Sequence, residues 1–125
     1  MAHSQRVVVG RAESNGLAPR HIRDSRRIVG QEFFVIWLNE HRYIAVEFTA
    51  VQGEVVSFIV RLMACSDGGD RILSRFDTAH GIAHQDLLTA DGNLREKLWL
   101  PDLSFNAALK HAIDHFKARH EDYPG

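Results

Sequence analysis

Residues 75–86 read RFDTAHGIAHQD. One arginine, two aspartates and two histidines fall within twelve residues, around a single glycine. In an extended chain alternate side chains share a face. Arg75 and Asp77 therefore point one way, and on the following strand His84 and Asp86 share a face. With Thr78–Ala83 as the connection, Asp77 stands opposite His84 and Arg75 opposite Asp86. His80 and Gly81 lie at the tip. Three kinds of chemistry suit that set. Cross-strand ion pairs of this type can simply pin the register, each worth about 0.2–1 kcal/mol. An aspartate-oriented histidine is also a ready general base, its ordinary pKa of about 6.5 lying near neutrality. Arg75 would then meet a phosphate or a developing negative charge, and the candidate catalytic set is Arg75, Asp77, His80, His84 and Asp86. A third option is a metal held by His80, His84 and one aspartate. The H-x-x-x-H spacing converges on a helix but here spans a turn, so no metal and no cofactor is expected.

The elements that must position this hairpin are legible on both sides of it. "EFFVIWL" (Glu32–Leu38) is apolar on both parities, as expected of a strand covered on both faces. "YIAVEFTAV" (Tyr43–Val51) is β-branched and aromatic, and Gln52-Gly53 turns it into Glu54–Cys65, the longest strand candidate. "SDGG" (Ser66–Gly69) is a hairpin turn leading to the return strand Asp70–Asp77. Ala83–Leu88 follows, then the Asp91-Gly92 turn and Leu94–Leu100. Pro101 closes the last strand, and Asp102 or Ser104 caps a helix. Its stripe is Phe105, Ala108, Leu109, Ala112, Ile113 and Phe116. The expected fold class is α+β: an antiparallel β-meander of about five to six strands with one C-terminal amphipathic helix packed on the sheet. Trp37 and Trp99 sit in strand candidates and are expected in the core. Cys65, among Leu62, Met63 and Ala64, is expected to be a buried thiol.

At 125 residues the chain is one domain long,. Residues 1–30 form a basic arm, partly irregular although "QRVVVG" can add a short strand, and residues 31–125 form a single α+β domain. The first 31 residues carry six arginines against Glu13 and Asp24, a balance of +4, while the remainder carries −5. Arg20, Arg23, Arg26 and Arg27 are the candidate nucleic-acid contacts, through phosphates. No apolar run approaches a membrane span, and the N-terminus lacks a signal-like apolar region, so a cytoplasmic protein is expected. His111 and His115, four apart on the helix flank, are read as rim histidines.

The chain resembles a small uncharacterised prokaryotic family with an R-[FY]-D-T-A-H-G-x-x-H-x-D core, a glycine turn, a "K-x-W-L" strand and a C-terminal helix. The matching elements are "RFDTAHGIAHQD", "DG", "KLWL" and "LSFNAALKHAIDHF", over roughly residues 55–123. A looser resemblance runs to TumE-like toxins of toxin–antitoxin modules, which carry an R-Y-D-N segment and a histidine-containing turn. Arg75, Phe76, Asp77, and His80 or His84 correspond, while Thr78 stands in place of the asparagine. This resemblance implies a toxin-like protein that acts on or binds RNA, with metal-independent phosphodiester cleavage at the hairpin. An antitoxin or other protein, or a second copy of the chain, is then the implied partner. The alternative is a non-catalytic interaction domain whose polar hairpin is structural.

Overall fold

The computed structural model describes residues 6–11, as backbone, and 29–124. Arg6–Arg11 (β1), Val29–Trp37 (β2), Arg42–Val51 (β3), Glu54–Ala64 (β4), Arg71–Asp77 (β5), His84–Leu88 (β6) and Leu94–Trp99 (β7) form one sheet in chain order. Every neighbouring pair is antiparallel. Phe105–Arg119 (α1) follows. The expected meander with a docked C-terminal helix is what the chain forms. The sheet has seven strands where five to six were expected. The extra one is β1, which pairs with β2 from Arg6–Trp37 to Arg11–Glu32. β2 begins at Val29, and β1 belongs to the same sheet.

Turn chemistry explains the connections. Asn39 accepts backbone hydrogen bonds from His41 (2.7 Å) and Arg42 (2.9 Å), closing the β2–β3 link. Gln52 and Gly53 both have positive φ, the backbone a two-residue hairpin requires,.

The pleat divides the sheet into two unlike faces. On one, Ile44, Val46, Phe58, Val60, Leu62 and Phe76 are buried against Ala108, Ala112 and Phe116 of α1. The small residues at 108 and 112 let the helix lie close to β4. Phe105, Leu109 and Ile113 consequently end up half-buried on its flanks rather than beneath it. Ser104 caps α1, its hydroxyl accepting from the Ala107 amide at 3.1 Å. The far end is tied to β3 by Arg42, whose guanidinium donates to the carbonyls of His120 and Tyr123.

The other face is the one the polar hairpin uses. Pairing carries Phe33, Glu47, Ile59, Asp77, His84 and Trp99 in one row across β2–β7. The row beside it carries Arg61, Arg75, Asp86 and Lys97. No residue of α1 packs on it. A concavity of about 420 Å³ opens on this face between Phe33, Glu47, Ile59 and Asp77.

Candidate functional site

The expected register holds: Asp77 faces His84, and Arg75 faces Asp86. The connection is a short 3-10 turn, Ala79–Gly81. Asp77 shapes it from within, its carboxylate accepting from the Ala79 amide at 2.9 Å. Thr78 anchors it to β4, its hydroxyl accepting from the Phe58 amide at 3.0 Å. His80 at the tip has φ +73°, a left-handed conformation that a non-glycine residue adopts only under constraint, and Gly81 follows at φ +80°,.

Asp86 is the hub. It is 1% exposed, and Arg75 Nε donates to its Oδ2 at 2.8 Å. Lys97 Nζ donates to its Oδ1, also at 2.8 Å. Burial alone would raise the Asp86 carboxyl, but the hydrogen bonds and charges of Lys97 and Arg75 outweigh it and hold the group below its ordinary value,. Arg75 Nε also lies 3.4 Å from Asp77.

His84 is equally buried, at 1%. Its Nδ1 lies 3.0 Å from the Ile82 carbonyl oxygen, which can only accept, so Nδ1 carries the proton,. Nε2 is 2.9 Å from Asp77 Oδ1 and 3.7 Å from Asp86 Oδ1. The nearer contact lacks hydrogen-bond geometry, and Nε2 is a buried nitrogen with no hydrogen-bond partner. The side chain is covered by Trp99, whose ring centre is 5.1 Å away, and by His80 at 6.0 Å.

The hairpin thus has a buried core of Asp77, His84 and Asp86 and an accessible rim of Arg75, His80, Lys97 and Trp99. Trp99 is 48% exposed, not in the core as expected. Its strand alternation turns it away from the helix, onto the open face. Lys97 packs 5.6 Å from the Trp99 ring,. The sequence reading missed Lys97 altogether. The signal was present, because the Asp91-Gly92 turn sets β7 against β6 and brings the "KLW" lysine opposite Asp86.

Cys65 is half-buried, not buried, and partial burial followed by the Asp70 charge pushes its thiol upward. His115 is likewise no simple rim residue. Its Nε2 bonds the Tyr123 hydroxyl at 2.7 Å, and Gln85 donates to that hydroxyl at 2.8 Å. His111 is exposed and stacks on His115. The candidate phosphate contacts Arg20, Arg23, Arg26 and Arg27 lie outside the described residues.

An antiparallel seven-strand meander with one face under a helix and one face carrying a charged hairpin defines the class of protein. Residues 23–124 match a family described as a domain of unknown function, DUF7718, and the chain belongs to it. No curated protein and no solved structure matches the chain. Among the described residues no helix is long and apolar enough to cross a membrane.

Proposed function

We propose that this chain is a toxin-like protein that binds RNA on the open sheet face and acts on its phosphodiester backbone at the Arg75–Asp86 hairpin. One observation carries the reading: the charged network faces away from α1, beside an open concavity, with Arg75, His80, Lys97 and Trp99 accessible around it. Trp99 offers a stacking surface for an unpaired base. Arg75 and Lys97 offer phosphate contacts. His80 is the exposed imidazole, suited to taking the proton of a ribose 2′-hydroxyl as it attacks phosphorus, and Arg75 meets the charge on the phosphoryl oxygens. The P–O5′ bond breaks as the 2′-oxygen bonds phosphorus, the leaving 5′-oxygen takes a proton from water, and the products are a 2′,3′-cyclic phosphate and a 5′-hydroxyl. The buried Asp77–His84–Asp86 core holds the rim in place. The resemblance of Arg75-Phe76-Asp77 and the following histidine turn to TumE-like toxins supports the same reading, with an antitoxin as partner.

The test is induced expression in a bacterial host together with binding to a fluorescent single-stranded RNA. Wild type slows growth and binds. Trp99→Ala weakens RNA binding by about 1–3 kcal/mol, and Arg75→Ala and His80→Ala relieve the growth defect at equal soluble expression. A harmless wild type that does not bind RNA sinks the proposal.

A second reading is favoured by one feature, the 1% exposure of His84 and Asp86, which keeps both from touching a substrate. In it the domain binds without cleaving. RNA bound but recovered with intact ends, and toxicity unchanged in His80→Ala, would decide for that reading.

A further inference from the structure

His84 presents a buried ligand atom that makes no hydrogen bond among the described residues, with Asp77 Oδ1 2.9 Å away. Ile82 fixes the proton on Nδ1. The His84 Nε2 is buried, makes no hydrogen bond and faces two carboxylates. Without a proton that nitrogen is a ligand atom, and a cation between it and the two carboxylates would satisfy all three groups. Metal–nitrogen and metal–oxygen bonds of about 2.1 Å put neighbouring ligand atoms about 3.0–3.4 Å apart. The observed separations from Nε2, 2.9 and 3.7 Å, bracket that spacing. One ligand atom from each of Asp77, His84 and Asp86 falls within 4.8 Å of the others.

We propose that Asp77, His84 and Asp86 form a binding site for one divalent transition ion of the zinc class. One imidazole and two carboxylates suit zinc, manganese or ferrous iron better than a thiol-seeking metal. A histidine whose other nitrogen donates to a backbone carbonyl has the outer contact that metal-ligating histidines almost always show. Asp86 can serve although Arg75 and Lys97 already bond it, because an ionised carboxylate has about four acceptor positions. Those two cations do oppose a third positive charge, so the site binds weakly for its ligand set. The ion differs from the one the sequence suggested, which paired His84 with His80. His80 stands on the exposed tip and is outside the cluster. The proposal does not depend on RNA, and its test contains none.

The experiment is a titration of the purified full chain with Co²⁺, followed by visible absorption, with Zn²⁺ competition by calorimetry. Wild type should bind one equivalent and melt several degrees higher when saturated. His84→Gln and Asp77→Asn, each checked for folding by circular dichroism, should weaken binding at least about tenfold. Lys97→Met should tighten it about tenfold by removing a competing positive charge. A purely structural ion-pair network predicts no such gain, so Lys97→Met keeps the test decisive even where His84→Gln does not fold. No stoichiometric binding at millimolar Co²⁺ would overturn the site. So would binding that survives in Asp77→Asn, weaker binding in Lys97→Met, or binding lost in His111→Ala, which would place the ion on the helix.

Discussion

The two faces of the β5–β6 hairpin solve the same problem, polar groups inside a sheet, by different chemistry. Beneath α1, Gln85 is buried and its amide donates to Ser74 Oγ at 3.1 Å and to the Tyr123 hydroxyl at 2.8 Å. Tyr123 continues to His115. Every link is between uncharged groups, because burial and the neighbouring His111 and Arg119 charges push the His115 imidazole below its ordinary value. One residue along each strand, on the open face, stand Arg75, Asp77, His84 and Asp86. The links from Asp86 to Arg75 and Lys97 are ionic, and they reach solvent through the rim. The covered side must satisfy its groups without charge, since desolvating an ion under a helix is costly. The open side can keep charge because Arg75 and Lys97 remain half-hydrated. A neutral chain docks an element, whereas a charged one with an unused nitrogen has capacity left for a ligand.

The sharpest way to break this contrast is to remove the apolar packing that the neutral chain decorates. Phe116 is fully buried against Phe76, with ring centres 5.1 Å apart. Phe116→Ala should cost about 3–5 kcal/mol in chemical denaturation. A loss below about 1 kcal/mol would mean that α1 is not what closes this face.

On the open face, Asp86→Asn should cost less, about 1–3 kcal/mol at neutral pH, because Arg75 and Lys97 can turn to water. Its pH signature is specific. The folded carboxyl titrates below its unfolded value of about 3.9, so its contribution is present above about pH 4 and is lost as pH falls through the lowered folded value,. Asp86→Asn should therefore flatten the acid limb of the stability curve. An unchanged limb would show that the hub is not ionic.

The smallest effects belong to the neutral chain. Tyr123→Phe removes one hydroxyl between Gln85 and His115 and should cost about 0.5–1.5 kcal/mol. The His115 imidazole is depressed on folding, so the unfolded chain takes up its proton first. Stability should be full above about pH 6.5 and decline as pH falls below it,. Thermal melts of His115→Gln should lack this step. Its persistence would move the titration to another histidine and make the chemistry of the two faces less distinct.

Much of this was written locally, and the reason is geometric. Strand parity has a period of two, so with Thr78–Ala83 as the connection the sequence alone pairs Asp77 with His84 and Arg75 with Asp86,. Ser104 as a cap and the strands from Glu54 to Leu88 were legible in the same way, because turns and caps depend on neighbours in the chain. The strand ends moved by one to three residues, where propensity is weakest and pairing decides.

What the sequence by itself determined is the order of strands, the helix, and the sorting of side chains into two alternating sets. It did not determine which set the helix covers or how deep each member lies. Both sets contain polar and aromatic residues, so composition does not choose between them. Only the tertiary structure put Tyr123 between Gln85 and His115. That contact depends on the docking of α1 and the turn after it, a long-range term that no local window contains. The β6–β7 register already sets Lys97 opposite Asp86 and Trp99 opposite His84, but only the folded sheet decides how deeply they cover those two groups.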